Sequence, residues 1–350
     1  MVKRFSYLQP YTKNFKLAWF KKDPLQIIAF QSYGTDTRFY VRGRALEDES
    51  IDLEQQKLWH LVINTWKRFE TDDIKQAGIT ITLPNNKTLK VSTDDNGYFM
   101  AEAPLEQLEA LTNAEGWLAY ELAYNEAHLK RHIQCKNRFP GELLIPSNEA
   151  EFGVASDIDD TILHTGVVSI LKWQVIYNSI FKHAKNRLPL EGAADFYHKL
   201  HRGASGKNAN PIFYVSHSPW NLYRYLELFL KQNNFPKGPI LLQRLGAILK
   251  RKQQGDKPQK QKEIVNILKT YPKLPFILIG DSGEHDPAIY MEIAEAFPNR
   301  ILAIYLRSVK HKKKMLHVKH LVNHYNTTMV LIVDSSAQAV AHAKKHGFIA

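Results

Sequence analysis

Acidic and hydroxyl side chains lie in three short stretches of this chain, each directly after a run of apolar residues. The stretches are residues 156–161, 216–220 and 280–286. Ligands of an open α/β sheet bind beyond the carboxyl ends of its strands, so the three stretches could form one site. Helix capping and turns also favour Asp and Ser, but capping alone is a poor explanation for three such strand ends.

The carboxylates of these stretches predict a metal and phosphoryl chemistry. Asp157, Asp159, Asp281 and Asp286 would repel one another at one point unless a cation neutralised them. Oxygen ligands without a His or Cys cluster favour a hard ion, most simply Mg²⁺. A phosphoryl group would be a natural co-ligand, and an aspartate could attack it to form an aspartyl-phosphate. The i, i+2 spacing of Asp157 and Asp159 allows one to attack while the other faces the leaving group.

The elements that must position these residues follow an alternating pattern after residue 150. Apolar runs predict strands at 152–156, 212–215, 276–279, 301–306 and 329–333. Helical stretches are predicted at 171–185, 193–200, 222–232, 260–270, 287–297 and 336–346. This alternation predicts a doubly wound α/β domain over residues 149–350.

The preceding residues, 25–148, read instead as a β-sandwich of immunoglobulin-like size. Strands are predicted at 26–33, 38–45, 98–101 and 117–122, with a hairpin formed by 79–83 and 88–93. Residues 53–69 have helical spacing and predict an inserted or edge helix. Residues 1–24 form a separate basic and aromatic segment.

Composition restricts the class of protein. The 350 residues are 44% hydrophobic and 23% charged, which is typical of a globular chain and argues against disorder. The single cysteine, Cys135, excludes an intramolecular disulfide and a cysteine zinc cluster. No run is apolar enough for a membrane span and no secretory signal is recognisable, so we expect a soluble, cytoplasmic protein.

An excess of basic residues predicts an anionic partner. The net charge is +12, and the basic residues concentrate in 1–22, 244–262 and 309–320. Phosphorylated molecules, anionic membrane surfaces and nucleic acid all fit this charge, as does a merely solvated basic face. No nucleic-acid recognition motif is present, so no nucleic acid is expected. Tyr11, Phe15 and Trp19 recur every four residues, which on a helix would make an aromatic stripe flanked by lysines that could contact a membrane. The same stripe could instead pack onto the protein body while the lysines stay solvated.

The motifs resemble a known family. Asp157-Ile158-Asp159-Asp160-Thr161 is similar to the DxDxT signature of the haloacid-dehalogenase (HAD) superfamily of phosphatases. Together with 214–220 and 276–287, the longer string 154–162 resembles the phosphatidate phosphatase catalytic-domain family of that superfamily. The resemblance implies a HAD-like fold and a Mg²⁺-dependent phosphatidate phosphatase.

The resemblance also implies roles for individual residues. Asp157 matches the nucleophile and a Mg²⁺ ligand, and Asp159 matches the general acid, also counted among the metal-site carboxylates. Thr161 matches the threonine that positions this acid, and Ser216 matches the hydroxyl that hydrogen-bonds the phosphoryl group. Asp281 matches the metal carboxylate, with Asp286 as an auxiliary acid near the metal or a simple helix cap. Lys260 best fits the lysine that offsets negative charge, with Lys262 as the alternative.

Three functions remain open at this point. The chain could hydrolyse phosphatidate, a soluble phosphomonoester or phosphoprotein by the same chemistry, or it could bind polyanions without catalysis. Gln243-Arg244-Leu245-Gly246 departs from the Arg-Asp-Trp-Gly-like run that the family commonly shows, which concerns substrate choice rather than chemistry. The short connection between Thr161 and Ile212 leaves no room for a large cap domain, so we expect an open site.

Overall fold

The computed structural model describes residues 24–47, 73–125, 131–158, 192–244, 257–282, 285–309 and 312–350. The predicted helices at 53–69 and 171–185 and the aromatic stripe at 11–19 lie outside these residues. None of the helices in the described ranges has the length and apolarity needed to cross a bilayer.

Eight strands of the described residues form two sheets in the first part of the chain. In chain order they are β1 (Leu25–Phe30), β2 (Ser32–Tyr33), β3 (Arg38–Glu47), β4 (Gly78–Thr82), β5 (Thr88–Ser92), β6 (Tyr98–Pro104), β7 (Trp117–Tyr124) and β8 (Phe139–Leu144). One sheet has the order β1-β3-β6 and the other β2-β8-β7-β4-β5. The predicted hairpin is confirmed, since β4 and β5 pair antiparallel.

The two sheets bury a common core. In β3, Phe39 and Val41 are fully buried, while the alternate residues lie on the other face, as the two-residue period of a strand requires. These two side chains cluster with Ile81, Leu122 and Leu143 from the second sheet. The predicted β-rich character of this part of the chain is thereby confirmed, and its immunoglobulin-like topology and its bounds as a domain stay predictions.

The prediction of one continuous strand over 26–33 is wrong. The strand is interrupted at Gln31, so that β1 pairs with β3 and β2 pairs with β8 in the other sheet. The backbone amide of Gln31 donates a hydrogen bond to Tyr223 Oη at 2.8 Å instead of to a neighbouring strand. This tertiary contact has no local sequence signal.

The second part of the chain alternates strands and helices. Its described elements are β9 (Gly153–Asp157), α1 (Ala193–Arg202), β10 (Ile212–Pro219), α2 (Tyr223–Gln232), β11 (Ile240–Gln243), α3 (Gln259–Thr270), β12 (Phe276–Asp281), α4 (Asp286–Ala296), β13 (Ile301–Arg307), α5 (Lys312–Asn323), β14 (Met329–Val333) and α6 (Ser336–Lys345). The six described strands are parallel and have the order β11-β10-β9-β12-β13-β14. The predicted parallel sheet is confirmed, although strand β11 and helix α5 were not predicted.

Helices cover both faces of this sheet. Phe196 of α1, Leu226 of α2 and Ala339 of α6 belong to one buried cluster. Ile264 of α3 and Ile293 of α4 belong to another, on the opposite face. The strands are buried on both faces, which explains why they read as continuous apolar runs.

Candidate active site

The order in which the chain adds strands to the sheet reverses between β9 and β12, its two central strands. The candidate site lies at that point. β9 and β12 are neighbours, but the chain proceeds outward from β9 to β10 and β11, and from β12 to β13 and β14. A crevice forms beyond the carboxyl ends of strands at such a reversal. Asp157 is the last residue of β9 and Asp281 the last of β12, and both are completely buried.

A buried lysine joins two carboxylates at this edge. Lys260, the second residue of α3, places Nζ 2.9 Å from Asp157 Oδ1. The same ammonium group donates a hydrogen bond to Asp286 Oδ1 at 2.6 Å. A lysine is almost never fully buried unless it is paired, and here it is paired twice. Lys262 is exposed on the same helix, so of the two predicted lysines only Lys260 contacts Asp157 among the described residues.

Asp286 connects the lysine to the end of β12. It begins α4, and its Oδ2 accepts a hydrogen bond from the backbone amide of Asp281 at 3.4 Å. A Cβ atom at Gly280 would lie only 2.4 Å from that Oδ2 and 2.9 Å from Tyr290 Oη. The absence of a side chain at Gly280 therefore allows the close approach of Asp286. The N-cap position of α4 is His285, and the carboxylate of Asp286 is directed to Lys260 and the end of β12.

Burial and neighbouring charge act together on Asp286. Burial, and to a lesser degree the carboxylates of Asp157 and Asp281, raise the pKa of its carboxyl group to about 7, although Lys260 acts to lower it. Among the described residues, this cluster holds three carboxyl groups and one ammonium group. Negative charge therefore exceeds positive charge, and the surroundings favour an additional cation or proton.

Ser216 lies in β10, the strand next to β9. Val215 pairs with Asp157 across the two strands, so Ser216 lies one position beyond the carboxylate at the same edge. Its side chain is buried, and its Oγ accepts a hydrogen bond from the backbone amide of Ser218 at 2.8 Å. The pairing of β10 with β11 is irregular between Val215 and Pro219, which turns this strand end out of the regular ladder.

The structure thus brings together four of the predicted residues, Asp157, Lys260, Asp281 and Asp286, and places Ser216 on the adjoining strand. Asp159 and Thr161, the predicted general acid and its positioning residue, lie outside the described residues.

Two supporting contacts escaped the sequence reasoning. Ser156 Oγ and Tyr197 Oη share a hydrogen bond of 2.5 Å, and Tyr290 Oη donates to the carbonyl oxygen of Ile279 at 3.0 Å. The first contact holds β9 one residue before Asp157, and the second holds β12 two residues before Asp281. Only Gly280, directly before an aspartate at a strand end, could have signalled a close approach in the sequence.

A protein-family model matches this part of the chain. Residues 152–308 match the family model described as "Phosphatidate phosphatase APP1, catalytic domain". Every residue of the candidate site named above lies within this matched segment.

Two fungal proteins are similar to the chain over part of their length. The Saccharomyces cerevisiae protein named Phosphatidate phosphatase APP1 is 36% identical over 196 residues, which are 55% of this chain and 32% of the yeast protein. An uncharacterized protein of Schizosaccharomyces pombe is 31% identical over 157 residues, 45% of this chain and 25% of its own. The chain therefore spans about a third or less of the length of these relatives.

One solved structure aligns over most of its length but at low similarity. The crystal structure of Bacteroides thetaiotamicron EndoBT-3987 with Man5GlcNAc product covers 91% of this chain and 92% of its own, with 8% sequence identity. The TM-score of 0.22 is too low for this alignment to bear on the fold.

The oxygen atoms at the end of β9 fit a hard cation better than a soft one. In the described part of the chain, Asp157 Oδ2 is buried and accepts no hydrogen bond. No group of three or more His, Cys, Asp or Glu side chains in the described ranges is arranged to hold a metal. A site built on Asp157 would therefore need a ligand from the undescribed residues or the substrate, and Asp159 is the predicted one.

Proposed function

We propose that this protein is a Mg²⁺-dependent phosphatidate phosphatase that works through an aspartyl-phosphate intermediate. The observation that carries the proposal is the buried contact between Asp157 and Lys260 at the reversal point of the sheet, within the segment that matches the APP1 catalytic-domain model. A carboxylate held in place by a buried ammonium group, with a second oxygen that accepts no hydrogen bond from the described residues, suits nucleophilic attack on phosphorus. The fold class we propose is HAD-like.

In the first half of the reaction, an oxygen of Asp157 attacks the phosphorus atom of the phosphomonoester. The bond between phosphorus and the alcohol oxygen breaks, and the alkoxide takes a proton from Asp159, the general acid implied by the family motif. Ser216 donates a hydrogen bond to the phosphoryl group at the neighbouring strand end. The ammonium group of Lys260 balances negative charge on Asp157 and on the phosphoryl oxygens.

In the second half, water hydrolyses the aspartyl-phosphate. Asp159, now a carboxylate, accepts a proton from the attacking water, and the phosphorus–oxygen bond to Asp157 breaks to release phosphate. Mg²⁺, held by Asp157 and Asp281 with Asp159 and Asp286 near by, would supply electrostatic stabilisation of the phosphoryl charge. Asp286 keeps Lys260 in position throughout.

The substrate proposal rests on the relative's name and on charge. The yeast relative is named a phosphatidate phosphatase. The net charge of +12 favours an anionic substrate surface, and we propose peripheral contact with an anionic membrane.

Phosphate release from dioleoyl phosphatidate in detergent micelles, measured beside a panel of soluble phosphate esters and a phosphopeptide, tests this function. We expect turnover of phosphatidate that needs Mg²⁺ and stops with a chelator. Faster turnover of a soluble ester would keep the chemistry and replace the substrate. Absence of turnover on every substrate would refute the enzyme and favour polyanion binding.

A further inference from the structure

The outer face of strand β3 lies along helix α3, the helix that carries Lys260. Three side-chain contacts join the β-sandwich to one face of α3: Arg42 Nη1 to Glu263 Oε1 at 3.3 Å, Asn266 Nδ2 to Tyr33 Oη at 2.6 Å, and Arg38 Nη1 to Thr270 Oγ1 at 3.3 Å. The three helix residues are spaced by three and four, so they share one helix face. The sandwich therefore fixes how α3 is rotated and where it lies along its axis.

The contact nearest to the candidate site is the ion pair between Arg42 and Glu263. Glu263 lies three residues after Lys260, so the two side chains are neighbours on adjacent turns of α3. The ion pair is largely buried, with 15% of the Arg42 side chain and 10% of the Glu263 side chain exposed. A buried ion pair tolerates little displacement, because each charge loses its compensation when the other moves.

Arg42 also contacts the strand end that carries Ser216. Its guanidinium carbon lies 4.6 Å from the centre of the Trp220 ring. On the sandwich side, Trp220 stacks on Phe30 at 4.1 Å with 14° between the rings. Trp220 directly follows β10, four residues after Ser216. One guanidinium group thus contacts both the lysine-bearing helix and the serine-bearing strand end.

We infer that Arg42 is a positioning residue for phosphoryl transfer, through which the β-sandwich sets the place of Lys260 relative to Ser216. The inference rests on the proposed function and deepens it, because it makes the rate of phosphoryl transfer depend on contacts from the β-sandwich. Arg42 acts through Glu263 and Trp220 and does not touch the reacting atoms. A displacement of about 1 Å in such groups can cost up to about a hundredfold in rate.

The chain offers a matched control on the same strand and the same helix. Arg38 contacts Thr270, which is ten residues beyond Lys260, or about 15 Å along the helix axis. Arg42→Met and Arg38→Met therefore each remove one arginine between the same two elements, at opposite ends of α3. We expect Arg42→Met to lower kcat about tenfold or more with KM within about twofold. Arg38→Met should leave both constants within about twofold of the unaltered protein.

A second variant and a second measurement cover the case in which Arg42→Met does not fold. Glu263→Gln keeps the shape and an oxygen acceptor for Arg42, and we expect a smaller fall in kcat at unchanged KM. In hydrogen-exchange measurements, amides 260–264 should exchange faster in Arg42→Met than in the unaltered protein. If Arg42→Met does not fold, the same measurement on Glu263→Gln takes its place. Arg38→Met should leave the exchange of those amides unchanged.

The outcomes separate this inference from the proposed function. Loss of kcat in both arginine variants in proportion to their loss of melting temperature would overturn the inference and leave Arg42 as an ordinary packing contact. A raised KM at unchanged kcat would also overturn it, since Arg42 would then bind substrate. If the unaltered protein hydrolyses no phosphate ester, the proposed function fails. Hydrogen exchange of amides 260–264 then tests whether Arg42 stabilises the start of α3. Equal exchange of these amides in the Arg42→Met and Arg38→Met variants would show that it does not.

Discussion

Lys260 Nζ lies 2.9 Å from Asp157 Oδ1, and neither side chain is exposed to solvent. The two residues are 103 positions apart in the sequence, and they meet because α3 begins against the carboxyl end of β9. Burial strengthens the attraction between the two charges. It also means that removing one charge leaves the other buried without compensation, which lowers the free energy of unfolding. This contact is the basis of the predictions for the two residues.

Asp157→Asn keeps the size of the side chain and removes the attacking negative charge. We expect the fold to be retained and essentially all phosphate release to be lost, because an amide oxygen is a far weaker nucleophile. Circular dichroism and steady-state turnover measure the two effects. Residual turnover within tenfold of the unaltered protein would show that Asp157 is not the nucleophile.

Lys260→Met should destabilise the protein as well as inactivate it. The change leaves Asp157 and Asp286 buried without their ammonium partner, and breaking a buried pair in this way costs about 3–5 kcal/mol. Urea unfolding and phosphate release measure the two consequences. Lys262→Met, on the exposed side of the same helix, is the control and should change neither. Equal changes in stability and phosphate release in the two variants would contradict the claim that Lys260, and not Lys262, compensates the buried carboxylates.

Gly280→Ala should disturb Asp286 directly. The added methyl group would lie 2.4 Å from Asp286 Oδ2 and press on Tyr290, and overpacking of this kind costs about 1–3 kcal/mol. We expect a lower melting temperature and a lower kcat. Gly78→Ala in β4 meets Asn125 Cβ at 3.3 Å, far from the site, and should leave kcat unchanged. An unaltered kcat in the Gly280 variant would show that turnover does not depend on the close approach of Asp286 to Gly280.

Asp159→Asn tests the general acid that the family motif implies. An alkoxide leaving group needs a proton, and general acid catalysis contributes about 10²–10⁴-fold, whereas an activated aryl ester needs it much less. Single-turnover formation of aspartyl-phosphate should therefore slow more for an alkyl phosphate than for p-nitrophenyl phosphate. Equal slowing for both esters would argue against this role.

Deletion of residues 1–22 tests the membrane contact. The segment has six basic residues, no acidic residue and the aromatic repeat at Tyr11, Phe15 and Trp19. We expect the shortened chain to lose binding to phosphatidylcholine vesicles that contain phosphatidate at low salt, and to keep its turnover of p-nitrophenyl phosphate. Unchanged vesicle binding would instead direct attention to the basic residues of 244–262 and 309–320.

Much of the second part of the chain, residues 149–350, is readable from local pattern. The apolar runs at 276–279 and 301–306 became the buried strands β12 and β13, because a strand covered on both faces leaves no polar alternation. The strand β11 was not predicted, since its four residues are too few to show a period and its place at the sheet edge depends on pairing with β10. Helix α5 was hidden by its run of lysines, which we interpreted as a charge patch.

The sequence by itself determined which acidic and hydroxyl residues lie at the strand ends. Asp157, Ser216, Asp281 and Asp286 follow apolar runs, and parallel strands bring such residues to one edge whatever the details of packing. Tertiary structure decided which lysine joins them, since Lys260 and Lys262 differ only in which face of α3 they occupy. It also decided where the β-sandwich contacts the second part of the chain. The contacts of Arg42 with Glu263 and Trp220 join residues about 180–220 positions apart, and contacts of that span depend on how whole elements pack, for which no local pattern exists.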